Sequence, residues 1–319
     1  MKNVCIVGYG AIGFVHARAV ENVERARLYA VCDIDKERCD VCAKKYDVVK
    51  YQDFDEVLAD ERIDSVHICT PHYLHFEMIR KALAAGKEVV TEKPLTMTRA
   101  EYEALLQLPG AERVCVVLQN RLNVCVKKMK HMVESGELGK VLTVRGILTW
   151  FRDAAYYESG AWRGKWDTEG GGLLINQAIH TLDYFSYVVG DIVNVKADMF
   201  NYSLQDVIEV EDTLVAYLEY ADGVRGIFFA TNAYGKDSLP FFEVVCEKGT
   251  LQYTDKTLWL DDEIIEKDRA PVVGKAYWGG SHVELMKRYY DEGKWFNVWD
   301  VKNTMETVFS MYESARSRK

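Results

Sequence analysis

Short apolar runs alternate with segments of helical periodicity through the first third of the chain. The runs are rich in β-branched or other apolar residues and read VCIVG, RLYAVCD, DSVHICT, KEVVTE and RVCVVLQ. Such runs are typical of strands that are buried on both faces of a sheet. Between the first two runs, apolar residues recur at helical spacing at Ile12, Val15, Ala19, Val20 and Val23. The alternation predicts an α/β domain over residues 1–119 with a parallel, doubly wound Rossmann sheet.

The pattern changes after residue 119. One helix is expected over about 123–135, and strand then follows strand with no regular helical spacing between them. In DTLVAYLEY, residues 212–220, alternate positions are apolar, and the other face of this strand is still far from polar. We therefore predict a C-terminal α+β domain over residues 120–319 with a large, mainly antiparallel, open sheet. Such a sheet needs cover on both faces, which favours helices on one side and a second subunit on the other. The expected assembly is a homo-oligomer, a dimer or a tetramer.

Size, charge and cysteine content narrow the class of protein. A chain of 319 residues is long for one domain, and its net charge of −9 argues against nucleic acid as a partner. The longest apolar runs have the length of strands, so no membrane span is expected. Among the eight cysteines, Cys39 and Cys42 form a C-x-x-C inside a predicted helix, without a second pair to complete a zinc site. No metal is expected, and the cytosol is the expected compartment.

The glycine-rich stretch VGYGAIG, residues 7–13, allows two interpretations. Lys2, the apolar residues 4–15 and the small residues around Arg18 resemble a secretion signal. Alternatively, Gly8-x-Gly10-x-x-Gly13 between a strand and a helix forms a turn that binds a pyrophosphate. Asp33 follows at the end of the second strand, where a carboxylate can bind the adenosine ribose hydroxyls and repel a 2′-phosphate. This favours the second interpretation and NAD over NADP, although Lys36 and Arg38 lie nearby. The predicted cofactor contacts here are Gly8, Tyr9, Gly10, Ala11, Ile12, Gly13 and Asp33.

The segment CTPHYLHFEMIRKALAAGKEVVTEKPL, residues 69–95, resembles the Gfo/Idh/MocA oxidoreductases, typified by glucose–fructose oxidoreductase and inositol dehydrogenase. The tripeptide Glu92-Lys93-Pro94 carries most of this resemblance, which extends over nearly the whole chain. It implies that Lys93 lines the site where cofactor and substrate meet and that Pro94 is cis. The carboxyl end of a parallel strand is also where ligands bind in such sheets. Further expected cofactor contacts in this segment are Thr70, Pro71, His75 and Glu92.

A polar stripe is expected on the helix that follows Gly170-Gly171-Gly172. Asn176, His180 and Asp183 are spaced i, i+4 and i+7, which places them on one face of an α-helix. The family resemblance implies that His180 is the general acid or base, with Asp183 as an orienting or substrate-binding group. Asn176 stands where inositol dehydrogenase-like members carry aspartate, and an amide cannot accept a proton.

The preceding loop carries Tyr156, Tyr157, Trp162, Arg163 and Lys165. Aromatic rings beside polar donors suit the apolar face and the hydroxyls of a sugar, so Tyr156, Trp162 and Arg163 are candidate substrate contacts. A well-packed surface loop without a ligand explains the same composition equally well.

These residues predict an NAD-dependent dehydrogenase acting on a secondary alcohol of a sugar, sugar derivative or cyclitol. His180 would remove the hydroxyl proton, and Lys93 would stabilise the charge that develops on the oxygen. Three alternatives stay open: an NAD-dependent glycosidase acting through transient oxidation, a non-catalytic NAD-binding regulator, and a dinucleotide-binding protein whose second domain only assembles subunits. The presence of both Lys93 and His180 favours the dehydrogenase.

Overall fold

The computed structural model describes residues 1–268 and 281–317, which fall into two compact units. The first unit comprises residues 1–119 and the later segment 281–301, and the second comprises residues 120–268 and 302–317. The chain passes from the first unit to the second between Gln119 and Asn120. The return of 281–301 to the first unit is not part of the contiguous division expected from the sequence.

The first unit is built on six parallel strands in the spatial order β3-β2-β1-β4-β5-β6. Their bounds are β1 Lys2–Val7, β2 Ala26–Cys32, β3 Val49–Tyr51, β4 Ser65–Ile68, β5 Glu88–Thr91 and β6 Val114–Val116. This is the strand order of a dinucleotide-binding sheet, and the predicted Rossmann domain is confirmed. The helices of residues 1–119 are α1 Ala11–Val20, α2 Lys36–Tyr46, α3 Phe54–Ala59, α4 His75–Ala84 and α5 Arg99–Leu106.

The second unit contains eight strands in the order β14-β13-β12-β11-β7-β10-β9-β8. The strands are β7 Val141–Thr149, β8 Ile192–Phe200, β9 Thr213–Tyr220, β10 Arg225–Thr231, β11 Phe241–Cys246, β12 Gly249–Thr254, β13 Thr257–Leu260 and β14 Glu263–Lys267. All neighbouring pairs are antiparallel except β7 and β10, which run parallel. The predicted, mainly antiparallel sheet is therefore confirmed.

The remaining helices follow in chain order. They are α6 Val124–Ser135, α7 Ala154–Glu158, α8 Trp166–Glu169, α9 Ile179–Tyr184, α10 Ser281–Tyr290 and α11 Lys302–Arg316. Short 3₁₀ segments lie at His72–Leu74, Ala111–Arg113 and Gln119–Leu122, and π-helical segments lie at Leu174–Ala178 and Phe185–Val189. Helix α6 ends at Gly136, which adopts φ = 70°, a conformation that favours glycine. The expected helix over 123–135 is therefore present.

Strand β9 shows how the second sheet is buried. Leu214, Ala216, Leu218 and Tyr220 are buried, whereas Val215 and Tyr217 between them are 47% and 40% exposed. The strand therefore has one covered and one open face, and the open face is still apolar, as its sequence predicts. Helix α11 packs on β8, at the edge of this sheet.

All eight cysteines are free and buried. Cys5, Cys32 and Cys115 lie in strands of the first sheet, and Cys39 and Cys42 lie on the inner side of α2. These thiols act as small packing residues, which confirms the interpretation drawn from their positions in the sequence. Among the described residues, no helix combines the length and the apolarity that crossing a membrane requires.

Candidate active site

The turn between β1 and α1 needs glycine at two of its three positions. Gly8 has φ = +89°, and a β-carbon on it would lie 2.7 Å from the carbonyl oxygen of Cys69 at the end of the neighbouring strand β4. A β-carbon on Gly13 would collide with the carbonyl oxygen of Gly8. A β-carbon on Gly10 would meet only a nitrogen of Arg38, at 3.9 Å. Backbone atoms therefore leave no space for a side chain at Gly8 and Gly13, whereas the space beside Gly10 is available to a ligand.

Asp33 connects this turn to the end of β2. Its Oδ2 accepts a hydrogen bond from the amide of Tyr9 at 2.7 Å, and its Oδ1 accepts one from the amide of Asp35 at 2.9 Å. The guanidinium of Arg38 lies 3.8 Å from the same Oδ2. The carboxylate is thus fixed beside the glycine turn, where the sequence places a ribose contact.

The turn and Asp33 together fit a dinucleotide. The first amide groups of an α-helix have no partners within the helix, and at α1 they belong to Ala11, Ile12 and Gly13. Gly10 caps this helix without a side-chain hydrogen bond, and it leaves open the space that a larger side chain would fill. These amides would bind a pyrophosphate, and Asp33 would bind a ribose.

His75, at the start of α4, joins two loops at the carboxyl edge of the first sheet. The imidazole is fully buried, with Nδ1 at 2.7 Å from the carbonyl of Pro94 and Nε2 at 3.0 Å from the carbonyl of Thr70. Burial lowers the pKa of His75. Both ring nitrogens therefore face backbone, so the expected cofactor contact of this side chain is corrected to a role in supporting Thr70 and Pro71.

The Glu92-Lys93-Pro94 loop directly follows β5. The Lys93–Pro94 bond is cis, as the family resemblance implies. Lys93 is partly exposed, whereas Glu92 is 6% exposed and its Oε1 lies 3.1 Å from Nε2 of His16 on α1. The carboxylate of Glu92 thus points into the interior of the first unit. Its expected contact with the cofactor is corrected to a contact with His16.

In the second unit, Glu211 holds the glycine run that precedes the polar helix. Its carboxylate accepts hydrogen bonds from the amides of Gly172 at 3.0 Å and Leu174 at 2.9 Å, and from the hydroxyl of Tyr312 at 3.0 Å. Burial raises the pKa of Glu211. Glu211 has no local signal in the sequence, because it lies about 40 residues along the chain from the glycines it holds.

The polar helix is irregular in its first part, and its three predicted polar residues differ in exposure. The segment Leu174–Ala178 is π-helical, so the rotation per residue differs from that of an α-helix. Between residues 171 and 185, Asn176 and His180 are partly exposed and the others are buried. Asp183 is 1% exposed. The prediction that all three residues share an accessible stripe is therefore wrong for Asp183.

Asp183 is instead part of a buried ion pair. Its oxygens accept hydrogen bonds from Nη2 and Nε of Arg121 at 2.7 and 2.8 Å, and Thr304 donates a third at 2.6 Å. A bidentate pair of this kind fixes α9 within the second unit. The side chain is fully engaged in the interior, so its predicted contact with substrate is corrected to a structural role.

Asn176 is oriented by a buried carboxyl that the sequence analysis missed. Its Nδ2 donates to Oε1 of Glu169 at 2.5 Å, and the amide of Gly164 donates to the other oxygen of Glu169 at 2.5 Å. Glu169 is fully buried, and burial raises its pKa to about 7, against the opposing effects of these hydrogen bonds and of Arg163. With Nδ2 held, Asn176 can present Oδ1 as an acceptor.

The candidate loop residues gather around the hydroxyl of Tyr156. Nη1 of Arg163 donates to this hydroxyl at 2.6 Å, and Nε2 of Gln177 donates at 2.9 Å. The guanidinium of Arg163 also lies over the rings of Tyr156 and Trp162, with its carbon 4.5 and 4.6 Å from the ring centres. Tyr156, Trp162 and Arg163 thus form one group, and Gln177 on the polar helix contacts it. Neighbouring Tyr157 is buried and packs into the core.

Two family models match the chain. One, described as the oxidoreductase family with an NAD-binding Rossmann fold, matches residues 2–120, and the Gfo/Idh/MocA C-terminal domain matches residues 126–252. The chain belongs to the Gfo/Idh/MocA family. Its first unit is therefore the NAD-binding domain of this family, which agrees with the fit of the glycine turn.

Relatives and solved structures of the family extend this finding. The chain is 30% identical to scyllo-inositol 2-dehydrogenase (NAD(+)) of Bacillus subtilis strain 168, over 73% of this chain and 68% of that protein. It is 29% identical to myo-inositol 2-dehydrogenase of Thermotoga maritima, over 81% of this chain and 78% of that one. The WlbA dehydrogenase of Bordetella pertussis, solved with NADH and UDP-GlcNAcA, is 25% identical with a TM-score of 0.88, covering 100% of this chain and 96% of its own.

We predict that Arg121→Met destabilises the protein by about 3–5 kcal/mol, because it leaves the carboxylate of Asp183 buried without its cation. Denaturant unfolding measures this loss. The double variant Arg121→Met, Asp183→Leu is expected to recover much of it. Lys50→Met is the control, since it breaks an exposed pair of the same 2.7 Å length with Asp40 and should cost no more than about 1 kcal/mol. Equal losses of stability in the two single variants would contradict the role of Arg121 and Asp183 as a buried ion pair.

We predict that Glu169 makes the protein less stable as the pH rises through neutrality. The pKa of Glu169 is raised above its ordinary value, so the folded state keeps this carboxyl protonated at pH values where the unfolded chain releases the proton. The stabilisation is therefore complete below about pH 4.5 and is lost as the pH rises through about 7. The change between pH 4 and pH 8 is about 3 kcal/mol at most. In urea unfolding, Glu169→Gln should reduce the dependence of the free energy of unfolding on pH. Any effect of this substitution that is the same at every pH does not alter that comparison. Asp167→Asn, an exposed neighbour on α8, should leave the slope unchanged.

Proposed function

We propose that the protein is an NAD-dependent dehydrogenase acting on a secondary alcohol of a sugar, sugar derivative or cyclitol, or on the corresponding ketone. One observation carries this proposal. On the helix after the glycine run, the two side chains left accessible are an imidazole and an oriented amide, His180 and Asn176. They occur in a chain of an NAD-binding oxidoreductase family whose named relatives oxidise inositols. Those relatives favour a dehydrogenase over a glycosidase or a regulator.

His180 is the proposed general base, and Asn176 is the proposed binding group beside it. An imidazole can take the hydroxyl proton near neutral pH, whereas an amide can only hold the hydroxyl by hydrogen bonds. The contact with Glu169 keeps Oδ1 of Asn176 turned away from the buried carboxyl, as an acceptor for a substrate hydroxyl. Bound NAD supplies the acceptor for the hydride that leaves the same carbon atom.

Lys93 is the proposed donor to the reacting oxygen. Its ammonium would stabilise the negative charge that develops on this oxygen as the proton leaves. The group formed by Tyr156, Trp162 and Arg163 is the proposed contact for the sugar ring, since its aromatic faces and guanidinium match an apolar ring face and its hydroxyls. Asp33 and the glycine turn are the proposed contacts of the NAD ribose and pyrophosphate.

We also propose that the protein is a homo-oligomer that pairs through the open face of the second sheet. Ile227, on β10, is 56% exposed and pairs with Tyr217 of β9, which is 40% exposed. Phe229, the next outward residue of β10, pairs with Ile147 of β7 and Val215 of β9. These side chains form an apolar patch beside Arg145, which pairs with Ile227 from β7, and a second copy of the chain would cover this patch. The eight free thiols support the cytosol as its compartment.

An NADH-formation screen over inositols, free sugars, sugar acids and nucleotide-linked sugars tests the proposed reaction, with NADP⁺ as the alternative cofactor. We expect NAD⁺ reduction with at least one class of these alcohols. With that substrate, His180→Ala should lower kcat at least about 100-fold, since general-base catalysis typically contributes 10²–10⁴-fold, and should retain NAD affinity.

His131→Ala, a change at an exposed histidine on α6 of the same unit, should keep wild-type turnover. Unchanged turnover in His180→Ala would remove this residue from the mechanism. Sugar release without net NADH would replace the dehydrogenase by the glycosidase alternative.

We predict that Ile227→Lys separates the subunits, because it places a charge in the middle of the proposed interface. Light scattering at micromolar concentration should give a dimer or tetramer for the unaltered protein and a smaller species for the variant. Val41→Lys, at a position that is 63% exposed on α2 of the other unit, should not change the mass. A monodisperse monomer for the unaltered protein would rule out the proposal.

A further inference from the structure

Three side chains that are far apart in the sequence meet inside the first unit. His16 lies on α1, Glu92 directly follows β5, and His282 is the second residue of α10. Their exposed fractions are 0%, 6% and 2%. We call these three residues the His16 cluster. Because they come from three separate elements, the fold itself brings them together.

The ligand atoms of the His16 cluster surround one point. Oε1 of Glu92 lies 3.1 Å from Nε2 of His16 and 3.8 Å from Nε2 of His282, and all three ligand atoms lie within 4.8 Å of one another. In a tetrahedral zinc site with bonds of 2.0–2.1 Å, neighbouring ligand atoms are roughly 3.3 Å apart. The observed separations lie on both sides of this value, so modest side-chain movements would complete the geometry.

The chemistry of these ligands selects a class of metal. Two imidazoles and one carboxylate suit Zn²⁺ and similar transition-metal ions, whereas Mg²⁺ and Ca²⁺ prefer oxygen ligands alone. A carboxylate in the interior is also costly unless a positive charge compensates for it. A divalent ion bound at Oε1 would provide that compensation for Glu92.

A hydrogen-bonded chain contacts Nδ1 of His16, the ring nitrogen that does not face Glu92. Nδ1 of His16 lies 3.0 Å from Nδ1 of His67 on β4, and Nε2 of His67 lies 2.7 Å from the hydroxyl of Tyr290, which lies 2.7 Å from Oγ of Ser65. Histidines that bind metals usually donate their second N–H to such a partner. With a metal on Nε2, His16 would donate from Nδ1 to His67. Without one, His16 would donate Nε2–H to Glu92, and its Nδ1 would accept from His67.

We propose that His16, Glu92 and His282 form a structural Zn²⁺ site that ties α1, the end of β5 and α10 together in the nucleotide-binding unit. Three protein ligands leave one position of a tetrahedral ion for a further small ligand. The site would fix the residue that precedes Lys93 and the helix that begins at the glycine turn. This inference is independent of the proposed dehydrogenase activity, because it concerns binding and stability alone.

Zinc retention by the full-length protein, without a histidine tag, tests this proposal. The protein is unfolded with chelator, refolded with a small excess of Zn²⁺ or with chelator alone, desalted, and analysed by elemental mass spectrometry and thermal unfolding. We expect one zinc per chain and a higher melting temperature after refolding with zinc. His282→Gln and Glu92→Gln should each lose this zinc and the thermal shift, and His67→Phe should weaken binding about 10–100-fold.

His131→Gln, on α6 of the other unit, is the matched control and should retain one zinc. Circular dichroism of each variant verifies that it is folded. Substitution with Co²⁺ separates the proposed site from the eight cysteines, because thiolate ligands add a charge-transfer band that histidine and glutamate do not. No retained zinc in the unaltered protein, a thiolate band, or undiminished zinc in folded His282→Gln would each overturn the proposal.

Discussion

The close approach of Gly8 to the carbonyl of Cys69 constrains the turn at which the nucleotide-binding unit would hold its cofactor. The backbone at the end of β1 passes so close to the end of β4 that no side chain fits between them. This forces the chain to turn with φ = +89° and to begin α1 at once. Helix α1, which begins directly after this turn, carries the amides at its first residues and His16 further along, and the amide of Tyr9 within the turn donates to Asp33. The turn and His16 are thus linked through the start of one helix.

The second unit relies on carboxylates in its interior. Glu169, Glu211 and Asp183 are all buried near the polar helix, and backbone amides, hydroxyls or Arg121 satisfy each of them. Their common effect is to hold a helix that is not a regular α-helix. Along this helix Asn176 and His180 are partly exposed, whereas the ion pair with Arg121 holds Asp183 inside. Local departures from regular helices often occur at functional sites, where the register of a few side chains matters more than helix stability.

Hydrophobic periodicity was sufficient to predict the two kinds of sheet, because the length, spacing and burial pattern of strands and helices are local signals. The glycine turn and Asp33 were predictable for the same reason, since their spacing is local. What the sequence could not reveal were contacts between distant segments. Along the sequence, Glu211 is distant from the glycines that it holds, and α10 is distant from His16 and Glu92, although each set is in contact in the structure. The predicted stripe included Asp183 because spacing along a helix does not show which of its residues other segments cover, and the buried partner Arg121, 62 residues away, has no local signal.

The return of residues 281–301 to the first unit has a consequence for synthesis. Tyr290 bonds Ser65 and His67, Tyr102 donates to the carbonyl of Val298, and the amide of Val116 donates to the carbonyl of Phe296. The partners contributed by 281–301 are synthesised about 180 to 225 residues after the groups that they bond. Until these partners are synthesised, the nascent nucleotide-binding unit has polar groups in its interior without their final partners, so this unit is completed only after residues 120–268 of the second unit have been made.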